Sequence, residues 1–329
     1  MTKIDQLVNE LGPKTQVNEP LSKHTVLKVG GPASVFYQAE SADELVRALK
    51  TAQKFSVPYL VLGMGANVLI SDSGFDGLVI KNRTAKIAIV GKKGKIKQGE
   101  RIDEEVLVEA ESGVTLVQLC RFSFDEGLQG LEFLYAIPGT VGGAIKINAH
   151  GRPGHNEFIG NLIWEVTLLT PQGDLKKIDQ KYLDFAYDYS KLSKSDEIVV
   201  SAVFGLKSSK KEQVWPEAMK FFEARKAAQP YDMPSAGCFF QNVPKPESVR
   251  LGLTGLIFST GVLIAQTGLA GYQLGGAKIS EKHSNFFVNT GEAKARDFIE
   301  LIKLAKVKVK EKFGVDLKEE IFLIGFDRN

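Results

Sequence analysis

One glycine-rich run constrains this chain more than any other feature. Gly130-Leu131-Glu132 leads through Ala136 to Ile137-Pro138-Gly139-Thr140-Val141-Gly142-Gly143-Ala144 and on to Asn148. Proline fixes one φ angle, and three glycines remove side chains where something must come close. A flat ring or a diphosphate laid against bare backbone needs such a loop; the alternative is an irregular buried crossing. A shorter loop, Gly63-Met64-Gly65-Ala66-Asn67, lies between two predicted strands, 59–62 and 68–71. Its glycines allow a tight turn and bring amide N–H groups near an anion. A plain structural turn explains that loop equally well. It is not a dinucleotide fingerprint of the Rossmann kind, because a strand follows where a helix should. No Gly-x4-Gly-Lys-Ser/Thr loop is present, which excludes a P-loop nucleotidase.

The rest of the chain reads as α+β. Strands are predicted at 35–39, 78–81, 86–90, 105–110 and 198–206. A hairpin over 164–170 and 175–178 turns at Pro171-Gln172-Gly173-Asp174. Ser41 with Glu44, and Thr115 with Gln118, form capping boxes for two helices. In the first, Leu45, Ala48, Leu49 and Ala52 share one face. Helices are also predicted over 215–227, with Pro216 in the first turn, and over 293–313, with a final strand at 322–324. The composition shifts near Lys207, where a polar, lysine-rich link begins. The 329 residues exceed one compact core. They divide into an N-terminal segment 1–19, a region 20–206 and a smaller domain 207–329.

Composition excludes several classes. A net charge of +3 is too small to point to nucleic acid and suits an anionic small ligand. The two cysteines, Cys120 and Cys238, have no metal-ligand spacing and cannot build a disulfide framework, so a metal is not expected and a reducing, cytoplasmic setting fits. Residues 1–11 carry Asp5 and Glu10 and lack the apolar run of a secretory signal. Residues 251–277 hold no charge, which raises a membrane span. Seven glycines and six serine, threonine or glutamine residues there favour buried helix and loop, so no membrane insertion is expected.

At residues 130–148 the chain resembles the flavin-binding segment of the UDP-N-acetylenolpyruvoylglucosamine reductases. His24-Thr25-Val26-Leu27-Lys28-Val29-Gly30-Gly31-Pro32-Ala33 resembles the family's opening motif. Gly63 to Asn67 resembles its first flavin diphosphate loop, with Ala66 where serine is usual. Ser235-Ala236-Gly237-Cys238-Phe239-Phe240-Gln241-Asn242 resembles its active-site strand. Ser280-Glu281-Lys282-His283-Ser284-Asn285-Phe286 and Leu317-Lys318-Glu319-Glu320-Ile321 resemble its C-terminal motifs. The motifs run in family order, and the short link after Ser190 with Ser-Glu-Lys-His matches the shorter subtype.

The resemblance implies a two-part FAD-binding domain of the vanillyl-alcohol-oxidase-like type, followed by a smaller α+β substrate-binding domain. It implies reduction of the enolpyruvyl ether of a UDP-sugar to the lactyl ether in peptidoglycan precursor synthesis. NADPH gives a hydride to non-covalent FAD, and reduced FAD passes it to the alkene. Gly63, Gly65, Ala66, Asn67, Ile137, Pro138, Gly139, Thr140, Gly142, Gly143, Asn148 and Arg225 match cofactor-binding positions. Tyr187, Asn242 and His283 match positions that contact the UDP-sugar; no protein partner is implied. Cys238 stands at the proton-donor position, where serine is usual. Glu320 matches the acid that orients or stabilises the enol carboxyl, and Glu319 reads as its solvated neighbour. The third catalytic position departs: the family's Tyr-Arg-x-Ser is Tyr187-Asp188-Tyr189-Ser190 here. Aspartate reverses the sign where negative charge develops. Either Asp188 points away and another cation serves, Arg225 and Lys226 being candidates, or turnover is poor. Gln241 replaces a usual lysine or arginine and Val243 a usual proline, with Lys278 and Lys282 as possible substitutes for the lost charge. Other readings are a different flavoenzyme on the same scaffold, or a homologue that binds FAD or UDP-sugar with impaired catalysis.

Overall fold

The structure, a computed structural model, describes residues 1–97, 100–151, 155–244 and 259–326. In chain order the first elements are α1 (Lys3–Leu11), β1 (Thr15–Pro20), β2 (Pro32–Ala39), α2 (Ala42–Lys54), β3 (Tyr59–Leu62), β4 (Val68–Ile70) and β5 (Phe75–Asn82). Then come β6 (Ile87–Lys97), β7 (Glu100–Glu111), α3 (Leu116–Asp125), β8 (Leu128–Gln129), α4 (Val141–Ile147), β9 (Ile163–Leu169), β10 (Leu175–Ile178) and β11 (Ile198–Ser208). The C-terminal elements are α5 (Lys211–Ala228), β12 (Ser235–Cys238), α6 (Thr260–Gln266), β13 (Gln273–Leu274), β14 (Ala277–Ile279), β15 (Phe286–Asn289), α7 (Ala295–Phe313) and β16 (Phe322–Ile324).

The contacts divide the chain into two units. The first holds Met1–Thr15, Tyr37–Met64 and Val79–Arg225; the second holds Gln16–Phe36, Gly65–Leu78 and Lys226–Asn329. A four-stranded sheet pairs in the order β1-β2-β5-β3.

In the first unit an antiparallel sheet runs β10-β9-β11-β7-β6, with β8 pairing at the end of β11. The predicted hairpin is present, with Leu175 opposite Leu169 and Ile178 opposite Val166. One sheet face buries Val108, Ala110, Val166, Leu168 and Phe204 against Leu119 and Phe124 of α3 and Val141 and Ile145 of α4. The start of α3 carries the full capping box. Gln118 N–H donates to Thr115 Oγ1 at 3.2 Å, and Thr115 N–H to Gln118 Oε1 at 3.0 Å. At α2 only half of the predicted box forms: Ser41 Oγ caps Glu44, but the Glu44 carboxylate takes the amide of Glu40 at 2.9 Å. Helix α5 starts at Lys211, so Pro216 lies beyond the first turn. Tertiary packing explains the longer helix. Val214 is buried, and the Trp215 ring sits edge-on to Phe124 at 5.2 Å and Tyr135 at 5.6 Å. Those contacts outweigh the one helical bond that proline cannot donate.

In the second unit the sheet runs β12-β15-β14-β13, and β16 pairs in parallel with β4. Phe239 stacks on Phe287 at 4.4 Å and on Phe298 of α7 at 5.7 Å, with Leu301, Ile302 and Ala305 filling the same core. Asp72 caps α7, accepting from Ala295 N at 2.8 Å and Arg296 N at 3.1 Å. A carboxylate there meets unpaired first-turn N–H groups and the positive end of the helix dipole. Among the described residues no helix is long and apolar enough to cross a membrane. The uncharged stretch 251–277 lies partly outside them; from residue 259 on it forms α6, only seven residues long, glycine turns and short strands.

Candidate active site

The candidate residues fall into two sets, one in each unit. In the first unit the loop before α4 is sewn to the end of β7 and the start of α3. Leu116 N–H donates to Gly139 O at 3.0 Å, Val141 N–H to Val114 O at 2.8 Å, and Gly142 N–H to Ser112 O at 2.9 Å. Its glycines are bare for different reasons. A Cβ on Gly142 would lie 3.0 Å from Ser112 Cβ, and one on Gly63 would lie 2.3 Å from Thr140 Oγ1. Those two are required by packing, and the second contact locks the two glycine loops together. A Cβ on Gly139 would meet only Leu116 Cδ1 at 3.8 Å, and one on Gly143 only Thr140 Oγ1 at 3.5 Å. Neither has a positive φ. The protein leaves these two positions room that a side chain would fill, as a ligand lying on the backbone requires. Ile137 is half-buried and Pro138 exposed beside them.

Asn148 ends α4 in the left-handed conformation, φ 52°. Its side-chain N–H donates to Ala186 O at 2.9 Å, and its oxygen accepts from Gly160 N at 3.1 Å. Ser190 Oγ donates to Lys146 O at 2.7 Å. The flavin-like loop and the segment 186–190 are therefore held as one frame. Asp188 is nearly buried, with its side chain 5% exposed, and its Oδ1 lies 3.1 Å from His150 Nε2. The His150 ring also packs on Tyr187, with centroids 4.9 Å apart. Arg225, near the end of α5, donates to His150 O at 3.2 Å. Sequence reasoning passed over His150, although it stands two residues after Asn148 in the most specific motif.

In the second unit Gly65 has φ 71°, and a Cβ there would lie 2.7 Å from His24 O and 2.8 Å from Thr25 Cα. The opening motif thus packs directly on the short glycine loop, and Val26 N–H donates to Gly65 O at 3.0 Å. Half-buried Ala66 follows. Asn67 donates its side-chain N–H to Glu320 O at 3.2 Å and accepts from Phe322 N at 3.0 Å. Cys238 ends β12 opposite Phe286. The next residues are bound on both sides: Phe239 N–H donates to Asn285 O at 2.8 Å, and Glu320 N–H donates to Phe239 O at 2.9 Å. Three distant motifs therefore share one backbone network, with the Glu320 amide bound to the residue after Cys238.

Glu319 is not simply solvated: its carboxylate pairs with Lys306 of α7 at 2.6 Å. Asn242 accepts from Thr260 N at 3.1 Å, which caps α6. His283 is half-buried, and burial pushes its pKa down. Its Nδ1 faces the Asn285 N–H at 3.4 Å, which leaves Nε2–H as the donor of a neutral ring. Lys278 pairs with Glu281 at 3.1 Å, and Lys282 Nζ donates to Lys226 O at 2.7 Å. Neither cysteine is in a disulfide; Cys120 is buried and Cys238 half-buried. Among the described residues no His, Cys, Asp and Glu group could hold a metal.

Comparison with known proteins bears on both sets. Residues 229–324 match the profile of the UDP-N-acetylenolpyruvoylglucosamine reductase C-terminal domain, and residues 33–179 that of an FAD binding domain. UDP-N-acetylenolpyruvoylglucosamine reductase 1 of Bacillus cereus is 35% identical over 98% of this chain and 100% of its own length. The enzyme of that name from Geotalea uraniireducens is 36% identical over 98% of each chain. The crystal structure of UDP-N-acetylenolpyruvylglucosamine reductase from Thermus caldophilus superposes with a TM-score of 0.71 at 31% identity, covering 94% of this chain and 98% of that one. A VAO-type flavoprotein from Myceliophthora thermophila shares the fold, with a TM-score of 0.52 at 10% identity.

Proposed function

This chain belongs to the UDP-N-acetylenolpyruvoylglucosamine reductase family, and from that premise we propose which of its residues carry the reaction. It is an FAD-dependent oxidoreductase that reduces UDP-N-acetylglucosamine enolpyruvate to UDP-N-acetylmuramate with NADPH, in peptidoglycan precursor synthesis. Its fold is α+β, with a vanillyl-alcohol-oxidase-like FAD-binding part. In our reading residues 20–206 form the FAD-binding domain and 207–329 the UDP-sugar-binding domain, after an N-terminal segment 1–19.

Gly63, Gly65, Ala66 and Asn67 would hold the cofactor with Ile137, Pro138, Gly139, Thr140, Gly142, Gly143 and Arg225, and Asn148 holds the loop in shape. Bound FAD would supply the hydride chemistry that links NADPH to the terminal carbon of the enolpyruvyl group. The chain's own task is then to meet negative charge on the carboxyl side and to deliver one proton to the adjacent carbon. The Cys238 thiol breaks its S–H bond to supply that proton, and solvent returns it. An ordinary thiol, with a reference pKa of about 8.5, still carries its proton at neutral pH. Glu320 orients the enol carboxyl. The neutral His283 ring donates Nε2–H to the nucleotide part, and Tyr187 and Asn242 line the sugar. Cysteines outside any disulfide suit the cytoplasm, and the reaction needs no protein partner, nucleic acid or membrane.

The observation that supports this assignment is the 2.9 Å bond from Glu320 N–H to Phe239 O, which joins the backbone of Glu320 to the residue after Cys238. A homologue that only binds is not favoured: the match to named reductases runs the full length of the chain, and the Asp188 charge has a partner in His150. The test is NADPH oxidation by the yellow, FAD-loaded protein, with and without the enolpyruvyl UDP-sugar. Substrate-dependent consumption and a product heavier by two hydrogens are expected; a colourless protein that ignores added FAD would refute the assignment.

A further inference from the structure

We propose that His150 and Asp188 form one proton-holding pair that occupies the place of the family's arginine and cancels the charge the aspartate would otherwise bring. The inference rests on the reductase reading above and concerns how this chain tolerates an inverted charge at a catalytic position.

The hydrogen-bond pattern sets the proton count. His150 Nε2 lies 3.1 Å from Asp188 Oδ1, and His150 Nδ1 lies 3.1 Å from Gly151 O. A backbone carbonyl only accepts, and so does an ionised carboxylate. Both contacts are hydrogen bonds only if each contains a hydrogen. A neutral imidazole with an ionised carboxylate supplies one hydrogen, so the pair holds one proton more. It is either an imidazolium with a carboxylate or an imidazole with a carboxylic acid, and both forms have zero net charge.

Burial is why a compensating hydrogen matters here. The side chains of His150 and Asp188 are 17% and 5% exposed. An unpaired carboxylate so shielded is costly. Asp188 Oδ2 is buried with no hydrogen-bond partner among the described residues. That oxygen is therefore left to accept from a bound ligand or solvent.

The frame shows that the contact is built. Asp188 keeps φ 49° in a tight turn closed between Ala186 and Tyr189. A left-handed aspartate is uncommon and needs surrounding structure to hold it. Asn148 grips Ala186 from the flavin-like loop, and His150 follows Asn148 by two residues, opposite Phe158 in a bridge. Among the described residues, the other charged or titratable groups named at this corner are Tyr187, whose ring lies tilted against that of His150, Arg225 on the His150 carbonyl, and Glu157, whose backbone carbonyl accepts from Gly151 N. His150 and Asp188 are positioning residues: they set the charge at this corner and take no part in bond making.

The test is a double-mutant cycle in the FAD-loaded protein, read by kcat with the enolpyruvyl UDP-sugar and by melting temperature. His150→Gln removes the proton and leaves the buried carboxylate charged, with no cation to offset it. We expect kcat to fall on the order of tenfold or more, with KM moving less, and the melting temperature to drop. Adding Asp188→Asn to His150→Gln removes that charge and restores most of both losses. A purely structural role for His150 predicts no rescue, since asparagine returns no packing. A second measurement serves if His150→Gln does not fold: nitrogen NMR of the histidine-labelled wild type at neutral pH shows a hydrogen in both His150 contacts, to Gly151 O and to Asp188 Oδ1. No rescue in the cycle, or a His150 contact that contains no hydrogen, overturns the pair. Absence of substrate reduction in the wild type overturns the reductase reading itself, which separates the two failures.

Discussion

Replacing Gly139 with alanine separates the two reasons a backbone can be bare. A Cβ there meets only Leu116 Cδ1 at 3.8 Å, an ordinary contact, and the backbone φ is not positive. The folded protein therefore loses nothing. Reduced freedom of the unfolded chain even stabilises by about 0.4–1 kcal/mol at such a compatible site. If FAD lies on this backbone, the added methyl overpacks that contact, at about 1–3 kcal/mol. That corresponds to a roughly 5- to 150-fold weaker dissociation constant. Gly142→Ala is the control, because its Cβ would stand 3.0 Å from Ser112 Cβ and 3.3 Å from Ser112 O. It should lower the stability of the apoprotein by a similar amount, about 1–3 kcal/mol. The assay is flavin-fluorescence titration of each apoprotein together with its thermal melt. Gly139→Ala with wild-type FAD affinity, within about twofold, would refute the idea that the cofactor explains this glycine.

Three further outcomes follow from the geometry. Cys238→Ala should still allow NADPH to reduce the flavin but stop reduction of the alkene, as seen in single-turnover absorbance; if both half-reactions survive, the proton comes from elsewhere. Glu320→Gln should lower kcat by on the order of a hundredfold, whereas Glu319→Gln, which breaks only a partly exposed pair with Lys306, should cost about 0.2–1 kcal/mol of stability and little rate; equal kinetic effects would reverse the assignment. Burial lowers the Lys81 pKa from 10.5 to about 8, so between those values the unfolded chain holds a proton that the folded one has released, and stability rises with pH across that window. Below about pH 8 both states are charged and the burial penalty is complete. Lys81→Met should remove this rise in urea titrations at pH 7 to 10, and a difference from wild type that does not change with pH would count against it.

The local part of this molecule was readable residue by residue. Thr115 and Gln118 sit three positions apart, and that spacing suffices to exchange bonds at a helix start. The turn at Pro171-Gln172-Gly173-Asp174 closes the hairpin it predicts. The motif order alone marks the family that full-length relatives share. Where a second choice of partner existed, reading along the chain failed: Glu44 caps Glu40 instead of completing the box at Ser41, and α5 begins before Trp215 because that ring and Val214 have a core to enter.

What the amino-acid order determined is chemistry at intervals of a few residues: caps, turns, bare backbone, and which functional groups are present. Only the folded chain decided who meets whom. It set β16 beside β4, Asn67 on the Glu320 carbonyl, and Lys306 on Glu319. It also brought His150 to Asp188 across 38 positions, giving the reversed charge a partner. The physical reason is that a side chain's charge belongs to its spatial neighbours, and those neighbours are selected by packing of surfaces far apart in the chain.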